Sequence, residues 1–136
     1  MSDTNLFVKR LNKWVMSVPF IDPFLVMSVE LPKARYVGNN IPCIAYSDLV
    51  VEVHEPAKSS VYDAATRQMK DGSYIEIEHK FIDDTGNVLE TWKIKGRVSF
   101  VDPRRVSYAD TNVFVTCVSF NVQSVDVVNH VEKNRS

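Results

Sequence analysis

The stretch from residue 74 to residue 127 constrains the fold more than any other part of the chain, because apolar and polar side chains alternate along it. Its first segment has this alternation at every second position, which is the pattern of a half-buried antiparallel strand. One face carries Ile75, Ile77, His79 and Phe81, and the other carries Glu76, Glu78 and Lys80. The stretch predicts a sheet that packs and assembles rather than a catalytic centre.

Turn residues divide this stretch into strands. The polar run 83–87 contains a Gly-Asn pair, which favours a hairpin connection, and residues 88–95 return as the partner strand. Gly96 predicts a bend or a close approach of backbones. After a proline-containing loop, the alternation over residues 113–122 predicts the last strand.

The beginning of the chain predicts a helix from residue 4 to residue 17. Asp3 or Thr4 can cap its N-terminus, and Pro19 ends it. Apolar side chains recur at helical spacing at Leu6, Phe7, Leu11, Trp14, Val15 and Val18. We expect this stripe to contact the sheet; the alternative is that the helix docks partly on a neighbouring subunit.

Between this helix and the long stretch, the sequence predicts three strands and a second helix. The strands cover residues 24–31, 41–46 and 47–55, and the short helix begins after Ser60 and ends at Gly72. The order of elements predicts an α+β fold that is mainly antiparallel β. We expect a curled β-sandwich or barrel with an N-terminal helix and one short helix between strands.

Length and charge narrow the class of protein. The 136 residues predict a single domain, 1–136, with a polar tail over 127–136 that is expected to be disordered. A net charge of −1 argues against a dedicated nucleic-acid binder. No apolar run approaches the ~20 residues that cross a membrane, and the N-terminus has no signal-peptide pattern, so we expect no membrane anchor.

The two cysteines, Cys43 and Cys117, form no metal-type cluster, and both lie among apolar neighbours. We expect buried, reduced thiols, which fits synthesis inside a cell; a single disulfide is the alternative.

No residue pattern indicates a catalytic, cofactor or metal site. His54 and Glu52 could bind a metal or transfer protons if their strand lay beside the one that carries Glu76 and Glu78. A solvated charged face and a partly buried His79 are the simpler interpretation. We therefore expect no enzyme and no cofactor, with a small-ligand-binding or enzymatic β-barrel as the alternative.

Three segments together resemble the tail tube proteins of contractile-tailed bacteriophages. They are residues 47–56 (SDLVVEVHEP), 83–96 (DDTGNVLETWKIKG) and 110–120 (DTNVFVTCVSF), and their order and spacing carry the resemblance. The strand that runs into Leu31-Pro32 is similar to the segment before the family's first hairpin. The likeness covers roughly residues 24–126.

The resemblance implies a curled β-barrel that is related to the tube proteins of type VI secretion. It implies a homo-oligomer: rings, expected to be hexameric, that stack into a tube whose channel conducts DNA during ejection. The partners would be tail sheath and baseplate proteins, and the location would be the virion tail, assembled in the host cytoplasm. A tube-like baseplate or adaptor ring protein is the alternative within the same fold.

The resemblance also assigns two surfaces. Glu76 and Glu78 are expected to line the channel, where acidic groups would let DNA pass without specific binding because they repel its phosphates. The hairpin formed by residues 33–46 is expected to reach the next ring. Its stacking residues would be Lys33, Arg35, Gly38, Asn39 and Asn40.

Overall fold

The computed structural model describes residues 8–38 and 43–133. This part of the chain contains eight strands, two α-helices and a 3-10 turn at Pro23–Leu25. The strands are β1 (Trp14–Ser17), β2 (Val26–Glu30), β3 (Ala34–Val37), β4 (Cys43–Tyr46), β5 (Leu49–His54), β6 (Ile75–Ile82), β7 (Val88–Pro103) and β8 (Val115–Asn129). The helices are α1 (Val61–Asp71) and α2 (His130–Lys133).

Six strands form one antiparallel sheet in the order β1-β6-β7-β8-β5-β2. The sheet curls until it is nearly closed into a barrel, and β3 and β4 form a separate two-stranded sheet. The predicted fold class, mainly antiparallel β and curled into a barrel, is therefore confirmed.

The core lies on the concave face of this sheet, where alternation along the strands sends the apolar side chains. Ile77 and His79 of β6 are buried, whereas Glu76 is exposed, as the sequence predicts. The largest fully buried side chains are Phe120, Met16, Leu49, Ile77, Ile94, Val51, Val53, Val118 and Thr116.

The long strands β7 and β8 bend where their pairing register shifts. One shift lies between Lys95 and Gly96, and another lies between Val98 and Phe100. A Cβ atom at Gly96 would lie 3.2 Å from the Cβ atom of Phe120, which is a tight contact, so the two backbones approach closely at this crossing. The bend predicted at Gly96 is confirmed. The strand nevertheless continues to Pro103, beyond its predicted end at residue 95.

The turn between β6 and β7 matches its prediction. The Asp83 carboxylate accepts hydrogen bonds from the Thr85 backbone N–H (2.9 Å), the Thr85 hydroxyl (2.8 Å) and the Asn87 N–H (2.8 Å). These hydrogen bonds hold the pKa of Asp83 below its usual value. Gly86 has a φ of 90°, which favours glycine at this position.

Helix α1 also has its predicted limits. The Ser60 hydroxyl accepts a hydrogen bond from the Asp63 N–H (3.0 Å), and Gly72 ends the helix with a φ of 76°. Val61 and Ala65 are buried against β7 and β8. The short helix between strands is confirmed.

The predicted N-terminal helix is wrong over residues 8–17. Residues 8–13 form turn and irregular structure, and β1 follows as an edge strand paired with β6. The side chains of Trp14, Met16 and Val18 recur every second residue toward the core, which is the spacing of a strand. Leu11, a member of the predicted stripe, is 98% exposed. Residues 4–7 lie outside the described residues.

The end of the chain also differs from the prediction. Residues 127–129 continue β8 and pair with β7, where Trp92 faces Val127, and α2 follows. The expected disordered tail is therefore wrong for 127–133, and 134–136 lie outside the described residues. Both cysteines are free thiols, but Cys43 is exposed rather than buried.

Candidate assembly surfaces

The β3–β4 hairpin forms a two-stranded sheet of its own, and β4 contacts β8 of the barrel. At its base the Ser47 N–H donates to the Lys33 carbonyl oxygen (2.9 Å), and the Lys33 N–H donates to the Ser47 hydroxyl (2.7 Å). Tyr36 and Ile44 face each other across the two strands and are 66% and 59% exposed. A two-stranded hairpin is marginally stable alone, so this exposed apolar pair is a candidate assembly surface.

The predicted stacking residues fall on this hairpin. Lys33 lies at its base and Arg35 lies in β3, and both side chains are exposed. Gly38 follows β3 with a φ of 110°, as expected at the start of a tight turn. Asn39 and Asn40 lie outside the described residues.

The edges of the curled sheet form a second candidate surface. Within the described residues, the strands β1 and β2 each pair with one neighbour in the sheet, so each has one row of backbone groups without a strand partner there. Val15 on β1 and Met27 on β2 are partly exposed along these edges. Unpaired edges of this kind favour pairing with another chain.

A third surface lies where β7 passes into β8. The connecting loop, residues 104–114, encloses with Glu52 a cleft of about 310 Å³. Val106, Tyr108 and Val113 are exposed on this loop.

Ionic contacts hold the floor of this cleft in place. The Arg104 guanidinium lies 2.9 Å from the Asp102 carboxylate and 3.7 Å from that of Glu52. The Ser28 hydroxyl also donates to the Glu52 carboxylate. The floor is therefore rigidly tied to β2 and β5, while the loop presents apolar side chains.

The predicted channel residues lie on the outer face of β6 in a mixed-charge environment. Glu76 pairs in register with Lys95, and Glu78 pairs with Lys93. The Lys80 ammonium lies 3.5 Å from the Glu78 carboxylate. The face is therefore not purely acidic, because the register places lysines of β7 beside each glutamate.

The residues considered for metal or acid–base chemistry are not brought together. His54 and Glu52 lie on β5, while Glu76 and Glu78 lie on β6, and β7 and β8 separate these strands. Within residues 8–38 and 43–133 no group of three His, Cys, Asp or Glu side chains is placed to hold a metal ion.

The sequence predicts a partly buried His79 but not the groups that surround its ring. Its ring stacks on Trp14 at 5.3 Å between centroids and meets the edge of Phe81 at 4.7 Å. Its Nδ1 atom is buried without a hydrogen-bond partner, and burial lowers the pKa of His79 to about 4. His79 is therefore a neutral packing residue under β1.

A carboxylate beside this aromatic cluster fixes the segment that precedes β1. Glu90 is buried and lies 3.1 Å from the Lys9 ammonium, and the Trp92 indole N–H donates to it at 2.7 Å. Burial alone raises the pKa of Glu90, but hydrogen bonds from Trp92, Lys9 and Asn129 outweigh this effect and lower it. No sequence signal could have linked Lys9 to Glu90, since they lie far apart in the chain.

Of the two helices in the described residues, neither α1 nor α2 is long and apolar enough to cross a membrane.

Comparison with known proteins gives structural neighbours only. No protein-family model matches the chain, and no curated protein matches it. A chain of the PVC sheath–tube complex, an extracellular contractile injection system in its extended state, is similar with a TM-score of 0.66 and 12% identity. The match covers 95% of this chain and 99% of that one.

Two other solved structures agree with this result. A chain of the tube-terminating cap of the anti-feeding prophage has a TM-score of 0.67 and 8% identity, covering 90% of this chain and 92% of that one. Hcp1 from Flavobacterium johnsoniae has a TM-score of 0.59 and 14% identity, covering 86% and 95%. The chain therefore shares its fold with chains of contractile injection systems and with Hcp1.

Proposed function

We propose that this chain is a structural subunit of a tube in a contractile injection apparatus of the phage-tail type. The observation that carries the proposal is the agreement of the fold over almost the full length of both chains with a chain of a sheath–tube complex. The proposed role is structural and not enzymatic.

The sheet edges supply a way to close a ring. The edge strands β1 and β2 carry backbone groups that are a liability in a monomer when unpaired, but such groups become joints when copies are arranged around a cyclic axis. We infer six copies per ring from the resemblance in the sequence. Ring closure of this kind would cover Val15 and Met27, which are partly exposed in the single chain.

The β3–β4 hairpin supplies the contact between rings. It forms a sheet separate from the barrel and exposes the facing pair Tyr36 and Ile44, which a neighbouring ring would cover. The proposed stacking residues are Lys33, Arg35, Gly38, Asn39 and Asn40, of which Asn39 and Asn40 lie outside the described residues.

We propose that the channel of the tube conducts DNA during ejection and that Glu76 and Glu78 face it. The lysines beside them make this face nearly charge-balanced, so it would neither bind phosphates tightly nor repel them strongly. The proposed partners are the tail sheath and baseplate, and the proposed location is the virion tail, after assembly in the host cytoplasm.

A tube-like baseplate, adaptor or cap ring is the second candidate. The anti-feeding prophage cap chain has a TM-score of 0.67, equal in practice to the 0.66 of the sheath–tube chain. A chain of the anti-feeding prophage baseplate also has this fold, with a TM-score of 0.59 and 10% identity. A cap or adaptor would form one ring but would not polymerise.

Sedimentation velocity across a concentration series tests the proposal. A tube subunit is expected to shift from small species to rings and then to much larger particles as the concentration rises. A cap or adaptor would stop at a single ring. A chain that sediments as a monomer at every concentration would contradict both candidates and would favour a small-ligand or enzymatic barrel.

A further inference from the structure

The outer face of β6 continues across β7 onto β8, because these three strands pair in register. Two rows of side chains cross the strands: one is Glu78, Lys93 and Asp126, and the next is Glu76, Lys95 and Ser124. Residues directly opposite each other in neighbouring antiparallel strands project from the same face, with Cβ atoms about 5 Å apart. The six side chains therefore form one continuous surface, which we call the β6–β8 face.

The charges of the β6–β8 face alternate in sign. Lys93 has a carboxylate opposite it in each flanking strand, at Glu78 and at Asp126. The Lys80 ammonium lies 3.5 Å from the Glu78 carboxylate, so with Lys80 three ammonium groups accompany three carboxylates. Arg97 lies at the margin, where its guanidinium is held over the Tyr74 ring at 5.0 Å from the centroid. No cluster of one sign is present within the two rows.

Exposed apolar side chains lie elsewhere on the described part of the molecule. Examples are Tyr36 on the hairpin, Tyr62 on α1 and Tyr108 on the loop 104–114, and none of the large exposed apolar side chains belongs to either row. Contacts between subunits cover apolar surface, whereas charged side chains are depleted from the centre of such contacts. The β6–β8 face is therefore suited to remain in water after assembly.

Helix α1 lies on the opposite side of β7. Val61 and Ala65 of this helix are part of the core, which fills the concave side of the sheet. The exposed side of α1 therefore points away from the β6–β8 face. Arg67 lies on this exposed side, and its side chain is 78% exposed.

We propose that the β6–β8 face forms the channel wall, and that Asp126 and Ser124 of β8 line the channel together with Glu76 and Glu78. This inference rests on the proposed function and adds a strand and two residues to its channel site. Asp126 supplies the second carboxylate beside Lys93, so a phosphate of passing DNA that approaches Lys93 meets a negative group on either side of it. Asp126 thereby helps to keep Lys93 from binding the DNA.

Thiol labelling of assembled tubes tests this assignment. Ser124→Cys and Asp126→Cys are made separately in a chain that also carries Cys43→Ser, which removes the exposed native thiol. The remaining Cys117 is buried, and burial raises the pKa of its thiol, which lowers its reactivity. Each variant is treated with N-ethylmaleimide and with a maleimide carried by a globular protein wider than the bore seen in electron micrographs.

The small reagent is expected to reach both cysteines inside the tube, and the wide reagent is not. N-ethylmaleimide should react in tubes within threefold of its rate with unassembled subunits of the same variant. The wide reagent should react at least tenfold more slowly in tubes than with those subunits. Arg67→Cys on α1 is the matched control, and we expect both reagents to label it in tubes within threefold of their rates with subunits.

The other outcomes separate this assignment from the proposed function. Tubes in which the wide reagent labels Ser124→Cys and Asp126→Cys as fast as Arg67→Cys would overturn the assignment and leave the tube standing. Protection of these cysteines from both reagents would place β8 in a contact between subunits and would overturn it as well, as would equal protection of Arg67→Cys from the wide reagent. Failure of both β8 variants to assemble, while the Cys43→Ser chain forms tubes, would have the same meaning. A Cys43→Ser chain and a wild-type chain that form neither rings nor tubes would overturn the proposed function itself.

Discussion

At the scale of single residues, His79 shows how a polar side chain is accommodated in this core. Its ring is packed between Trp14 and Phe81, and burial lowers its pKa from 6.5 to about 4. Lys9 and Glu90 are the charged groups beside this cluster, and they pair with each other at 3.1 Å. The stacking of Trp14 on His79 joins β1 to β6 beside their backbone pairing.

This environment predicts a loss of stability in mild acid. The unfolded chain binds a proton to His79 below pH 6.5, but the folded chain does so only near pH 4. The contribution of neutral His79 to the free energy of unfolding is therefore fully present above pH 6.5. It declines as the pH falls and is lost by pH 4. We expect the free energy of unfolding to fall by up to about 2 kcal/mol between pH 7 and pH 5 from this group alone.

Denaturant titrations at pH 7 and pH 5 measure this effect, with His79→Phe as the control. The variant keeps the aromatic packing and lacks the titrating group. Its free energy of unfolding is therefore expected to fall less between pH 7 and pH 5, by the amount that His79 contributes in the wild type. His54 and His130 are present in both proteins. Equal losses in wild type and variant would show that His79 does not carry the effect.

At the scale of elements, the sequence correctly predicts those elements whose structure is set by contacts between neighbouring residues. The β6–β7 turn is fixed by Asp83 and Gly86, and helix α1 is fixed by Ser60 and Gly72, all of which lie within or next to the element. These residue types favour the same structures in any protein, so the sequence was sufficient for both elements.

Elements that depend on distant partners were predicted less well. The spacing of Trp14 and Val18 is compatible with a helical stripe and also with an alternating strand. The pairing of β1 with β6 stabilises the strand. The register shifts near Gly96 and Phe100 break the alternation, so the second half of β7 had no clear strand pattern. The polar end of β8 is held by its pairing with β7, which composition does not reveal.

The hairpin yields a prediction at this scale. Replacing residues 36–44 by a short Gly-Asn-Gly turn removes Tyr36 and Ile44 and leaves the base at Lys33 and Ser47. We expect single rings that no longer stack, because the separate β3–β4 sheet contributes little to the main barrel. Particle mass by analytical ultracentrifugation measures this change.

The control for this variant is a similar change in the β6–β7 turn, with residues 84–86 replaced by Gly-Asn-Gly, which is expected to leave stacking intact. Tubes of normal length from the shortened hairpin would end its assignment as the stacking element.

At the scale of the whole molecule, the hairpin could be located from its turn signal at Gly38, but the cleft could not be predicted. The cleft depends on residues that β2, β5 and the loop 104–114 bring together from distant parts of the chain. The sequence likewise shows Glu76 and Glu78 but not the register that places Lys95 and Lys93 beside them.

If Glu76 and Glu78 line the channel, reversing their charges is expected to impair DNA passage without impairing assembly. Glu76→Lys with Glu78→Lys removes two negative charges and adds two positive ones per chain, beside lysines already present on β7. If this face lines the channel, tubes are expected to form normally while genome passage slows, because phosphates bind a strongly basic wall. Infectivity and DNA ejection rates of particles carrying the variant measure the effect.

Lys93→Glu with Lys95→Glu is the opposite change on the same face, and we expect it to leave ejection rates near the wild-type value. Unchanged ejection in the glutamate-to-lysine variant would place Glu76 and Glu78 away from the channel.

Negative-stain electron microscopy of the purified chain across a concentration series tests the central claim most directly, namely that this barrel builds a tube. The fold it shares with a sheath–tube chain and the two unpaired sheet edges predict rings of uniform width, with hollow tubes of the same width at higher concentration. Dispersed single barrels at every concentration, with neither rings nor tubes, would contradict the account.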